Sequence, residues 1–217
     1  MWRKGVWVAA VVVLAVAGCS TDVDWSGLGS SSSSSPAPSA TRSGPAHERV
    51  LTPGEVELAR TVFGDGVDYS VVLVHNHAYP LFGDYQPDDM AVTPNGEMYF
   101  PAPSHLDDFS ADTPANARWF VHEMVHVWQF QLGYPVAARG MDRSSLRYDY
   151  QLDDGARLAD YDMEQQGEIV ADYVGLTTLG IATSRDGRYT VDDLEAYRTV
   201  LADFLADPCD TVSLPGW

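Results

Sequence analysis

His122-Glu123-Met124-Val125-His126 lies inside a segment whose apolar residues Phe120, Val121, Met124, Val125 and Trp128 recur at helical spacing. Thr113-Pro114 supplies a cap and a first-turn proline upstream, and Gly133 and Pro135 close the segment downstream. On a helix, positions four apart share a face, so both imidazoles can reach one metal ion. The Glu that follows the first His is then placed to meet a water on that ion. The pattern is therefore that of a zinc-binding helix, with His122 and His126 as ligands and Glu123 as a general base. The competing reading is an amphipathic helix whose histidines lie on its polar side.

Two histidines leave zinc short of a third protein ligand, which a catalytic site needs besides water. Downstream, Glu164, Glu168 and Asp172 repeat at four-residue spacing on a segment predicted to be helical from about Met163 to Thr178. Three like charges on one helix face repel, and a bound cation would offset that repulsion. The arrangement resembles that of the gluzincins. By that resemblance Glu168 is the third ligand and Asp172 the group that orients a zinc-bound His. The spacing repeats, so Glu164 as ligand with Glu168 behind it is the alternative. Thr93-Pro94-Asn95-Gly96-Glu97-Met98-Tyr99-Phe100, the run His122 to Gln129, and Glu164-Gln165-Gln166 are similar to bacterial Vgr-related proteins, a zincin-like group. This similarity covers about residues 65 to 180 and implies a zincin-like fold with Zn2+ as cofactor.

The implied chemistry is peptide-bond hydrolysis, with Glu123 taking the proton of a water on the metal and delivering it to the leaving amine. The partner is then a peptide or protein substrate. An oxyanion donor has no motif of its own, and His105, Arg147, Tyr148, Tyr150, Tyr161 and Tyr173 are all candidates. His75 and His77 alternate on an expected strand and share a face, which would permit a second metal site. Two other functions fit the same residues: a non-catalytic zinc-binding envelope lipoprotein that binds a protein partner, and a metal-free adaptor whose helices are only structural.

Outward from the motif, Thr52-Pro53-Gly54-Glu55 predicts a capped helix to about Phe63, stopped by Gly64. Tyr69 to His75 reads as a strand, and Asn95-Gly96 as the turn of a hairpin between Ala91-Val92 and Met98-Tyr99-Phe100. A last helix is expected from about Val191 to Leu205, capped by Thr190. Short strands followed by helices give an α+β fold, with a small mixed or antiparallel sheet beside the motif helix and a second ligand-bearing helix.

The chain has 217 residues with 13 Lys and Arg against 31 Asp and Glu, a formal charge of −18. So acidic a chain has no basic patch for phosphates, which excludes nucleic acid as a partner. Arg3 and Lys4 precede an apolar run from Gly5 to Gly18 that is too short to span a bilayer, the pattern of a signal peptide over residues 1–18. Val16-Ala17-Gly18-Cys19 resembles the lipobox of bacterial lipoproteins, so Cys19 is the expected lipidation site and membrane anchor, on the exported side of the cell envelope. Lipid there would make Cys209 an inert thiol or the donor of an intermolecular bridge. Residues 19–48, rich in Ser, Gly and Pro with six serines from Ser30 to Ser35, read as a tether. Residues 49–217 form the expected catalytic domain. Oligomeric state has no signature in the sequence.

Overall fold

The structure is a computed structural model that describes residues 47–81, 86–142 and 146–216. The signal, Cys19 and most of the tether lie outside the described residues.

The first helix forms where its caps predict. Helix α1 (Pro53–Phe63) begins with a reciprocal pair: the Thr52 side chain accepts from the Glu55 amide and the Glu55 carboxylate accepts from the Thr52 amide. Gly64 follows at φ 50°, a conformation that favours glycine. Glu55 is fully buried, a cost offset by two bonds from the Arg49 guanidinium at 2.7 and 2.8 Å and one from the Phe109 amide. That cluster fastens strand β1 (Glu48–Val50) to the helix that follows it.

Strand β2 (Leu73–His75) runs antiparallel to β1 and parallel to β3 (Met98–Tyr99), giving a mixed sheet in the order β1-β2-β3. The expected strand over Tyr69–His75 is thus shortened. Asp68 caps a 3-10 turn at Tyr69–Val71, its carboxylate accepting from the Ser70 amide at 3.0 Å. The turn at Asn95-Gly96 forms, with Gly96 at φ 79°, but the pairing across it is one antiparallel bridge between Val92 and Tyr99.

Helix α2 (Pro114–Gln131) carries the motif and is capped by Thr113; helix α4 (Met163–Thr177) packs along it. Phe63, Phe109, Phe120, Trp128, Tyr197 and Phe204 fill the space around this pair. Helix α3 (Val136–Met141) is short and follows directly after α2. The expected last helix is instead divided into a 3-10 turn at Val191–Asp193, α5 (Leu194–Val200) and α6 (Ala202–Ala206). Leu201, with ψ near 3°, lies between the two helices. The result is an α+β fold with a small sheet at one side of a helical core. Among the described residues no helix is long and apolar enough to cross a membrane. Cys209 is disulfide-bonded, which corrects the expectation of an inert thiol there.

Candidate metal centre

The motif histidines sit one turn apart on α2 and meet the first turn of α4. His122 Nε2 lies 3.1 Å from Glu164 Oε2, His126 Nε2 lies 3.2 Å from the same oxygen, and the two Nε2 atoms are 3.2 Å apart. Among the described residues this is the one group of three side chains that could hold a metal ion. His75 and His77 do not form a second: His75 Nε2 is 2.9 Å from Glu97 Oε2, and its ring stacks on Tyr99.

The tautomer at His126 follows from its neighbours. Gln129 uses its amide nitrogen to donate to Met163 O and to Gln166 Oε1, so its carbonyl oxygen is the atom 2.9 Å from His126 Nδ1. Nδ1 must then carry the proton and Nε2 a lone pair. Gln166 is itself held by donating to the Leu158 and Ser213 carbonyls. On the other ring, Glu168 Oε1 lies 3.3 Å from His122 Nδ1, off the line of a hydrogen bond but close enough to orient the imidazole. The lone pair of His126 Nε2 and the Glu164 carboxylate oxygen thus converge with His122 Nε2, a group able to hold a cation, whether a proton on His122 or a metal ion. Tetrahedral zinc with ligands at its usual bond lengths sets such atoms about 3.3 Å apart, and the triangle fits it.

Glu168, expected as the third ligand, is not in that triangle; the alternative, Glu164, is. The reason is where α4 contacts α2. Gly167 lies against the His122 ring, so Glu164 falls on the Nε2 side and Glu168 on the Nδ1 side. Glu168 also receives the Arg118 guanidinium and, at 3.2 Å, Arg185 Nε. Asp172 is one turn further from the histidines. It accepts from Arg118 Nε at 2.6 Å, from the Tyr150 hydroxyl at 2.7 Å and from the Arg185 amide at 3.0 Å. Arg118, largely but not fully buried, thus clamps both carboxylates behind the histidines.

These charges set the protonation of the metal-free site. Burial works against a charged His122, but the adjacent Glu164 and Glu168 carboxylates outweigh it and push the ring up to about 10. Glu164 is buried too, yet the two histidines hold its carboxyl well below the usual carboxylate range.

Glu123 lines a cleft of about 480 Å³ together with the two histidines and Glu164. The Thr93 hydroxyl donates to Glu123 Oε2 at 2.6 Å. Of the six candidate oxyanion donors, Tyr148 alone lines this cleft, its ring 6.3 Å from that of His122. The Tyr150 hydroxyl is engaged by Asp172, Tyr161 donates to the Gln151 carbonyl, and His105 is buried beside His47. Arg118, Thr93, Gln129, Gln166 and Gly167 had no role assigned by sequence. Thr93, Gln129 and Gln166 stood inside the stretches that carried the resemblance, which was the available signal for them.

No protein-family profile matches the chain. It is 39% identical over 132 residues to the type VI secretion system spike protein VgrG2b of Pseudomonas aeruginosa. That match takes in 58% of this chain and 13% of the spike protein, so most of the spike protein lies outside it. Among solved structures, the effector domain of Pseudomonas aeruginosa VgrG2b matches with a TM-score of 0.58 and 32% identity, over 71% of this chain and 82% of that domain.

Proposed function

The chain belongs to the family of the VgrG2b effector domain, and from that footing we propose that it is an exported zinc metallopeptidase of zincin-like fold. His122, His126 and Glu164 hold the metal and Glu123 is the general base. The observation that carries this reading is the convergence of three buried potential ligand atoms, with Glu123 in the same cleft. Bound there, zinc would polarise a peptide carbonyl and acidify a water ligand. Thr93 fixes one oxygen of Glu123 and leaves the other to take a proton and return it to the departing amine. Gln129 and Glu168 keep the two imidazoles turned toward the centre. Tyr148 is positioned at the cleft wall to donate to the developing oxyanion. The protein acts as an effector on peptide or protein substrates outside the cytoplasm, held to the envelope through lipid on Cys19.

Elemental analysis of the purified protein tests the ligand set. About one zinc per chain is expected, lost in His126→Ala and Glu164→Ala and recovered by Glu168→Ala at saturating zinc. Loss with Glu168→Ala and retention with Glu164→Ala would move the third ligand back to Glu168. Glu123→Gln is expected to keep its zinc and lose cleavage of a protein mixture by roughly 10²–10⁴-fold. Undiminished cleavage by that variant would reject Glu123 as the base, and a folded protein that takes up no supplied zinc would reject the hydrolase altogether.

A further inference from the structure

The cleft is larger than the metal triangle requires, and its far end is apolar. Tyr134, Val136 and Met163 form a small hydrophobic cluster of their own, separate from the main core, with Leu146 packed against it. Val136, Leu146 and Met163 from that cluster line the cleft together with Met90 and Val92 from the opposite wall. An apolar cluster set apart from the core and open to a cavity beside the three buried potential ligand atoms is suited to receive an apolar group from outside.

The short helix α3 makes the room. Ala137 and Gly140 are three residues apart, on one face, and both line the cleft. Gly140 does not have the positive φ that would require glycine. A Cβ built there meets only the end of Met163, at 3.9 Å. The absent side chain at 140 is therefore pocket volume rather than a backbone necessity. Met163 immediately precedes Glu164, so the floor of this space and the proposed metal ligand belong to one helical turn. Asp89, Glu123 and Glu164 line the same cleft and, among the described residues, no Lys or Arg does, which disfavours an acidic occupant.

We propose that this apolar end is a specificity pocket for one large apolar side chain, Leu, Met or Phe, of an extended peptide, at a position flanking the scissile bond. The inference rests on the hydrolase reading and names its substrate class. Replacing the favoured side chain by Ala should lower kcat/KM roughly 10- to 200-fold, the range a hydrophobic pocket can discriminate.

The test is to incubate the zinc-supplied protein with a peptide mixture from a digested proteome and map the new termini by mass spectrometry, using Glu123→Gln as the blank. The expected result is enrichment of Leu, Met and Phe at one position beside the cut. Gly140→Leu fills the pocket and should shift that position to Gly, Ala and Ser. Leu146→Ala enlarges it and should admit Trp, giving a second arm should Gly140→Leu fail to fold; the zinc content of each variant is checked in parallel. Cleavage absent from the blank but without apolar enrichment, enrichment of Lys or Arg opposite Asp89, or a preference that neither variant moves would overturn the pocket while leaving the hydrolase intact. No cleavage beyond the blank would overturn both.

Discussion

A Cβ at position 167 would lie 2.6 Å from His122 Cε1 and 2.9 Å from Nδ1, closer than a Cβ comes to atoms it is not bonded to, and 3.0 Å from Nε2. The glycine is thus the seat on which the imidazole rests, and it determines which nitrogen faces which carboxylate. Gly167→Ala must tilt the ring away from Glu164, while the backbone of α4 tolerates alanine better than glycine. A loss of zinc affinity of roughly 10- to 100-fold is expected, the scale set by supports of metal ligands. Competition with a chromophoric chelator measures it, and unchanged affinity would mean that the ring position is not critical. The same residue explains what the sequence could not decide. Glu164, Glu168 and Asp172 repeat at equal spacing, so periodicity alone cannot say which of them reaches Nε2. His122, Glu123 and His126 were legible because their relation is fixed within one helix, whereas the third ligand depends on how two helices meet.

At the scale of elements, α2 and α4 are joined by charge as well as by packing. Arg118 on α2 bonds Glu168 and Asp172 on α4, with the guanidinium largely buried. Asp172 passes the connection to Tyr150 and from there to Tyr197 on α5. Removing Arg118 leaves two buried carboxylates with much less compensation, and Arg118→Ala is expected to cost about 3–5 kcal/mol in unfolding free energy. Denaturant titration checks this, and Arg118→Ala combined with Glu168→Gln and Asp172→Asn should recover part of the loss, because the stranded charge is then gone. A cost under about 1 kcal/mol would show that the clamp matters little to the fold. Helix ends written in local signals were legible here: Thr52 and Thr113 each cap a helix by accepting from a backbone amide, and Asp162, not read from the sequence, does the same for α4. The sheet was legible only in part. Strands of two and three residues owe their existence to partners far along the chain, and the Asp68 cap turns residues of strand-like composition into a 3-10 turn.

For the whole molecule, the proposal of work outside the cytoplasm can be tested at the cysteines, because disulfides persist there. Cys19 and Cys209 are the two cysteines of the sequence, and Cys209 is disulfide-bonded. A sulfur that carries a lipid thioether cannot also form a disulfide. Lipid on Cys19 therefore requires that the bond at Cys209 reach another molecule. The expected outcome for protein extracted from membranes is an intact mass raised by the lipid, label from a fatty-acid precursor that disappears in Cys19→Ser, and a larger species on non-reducing gels that disappears in Cys209→Ser. A soluble, unlabelled monomer, lighter than the reduced chain by the hydrogens that one disulfide removes, would join the two cysteines to each other. It would make the protein a freely diffusing one and rule out a lipid anchor at Cys19.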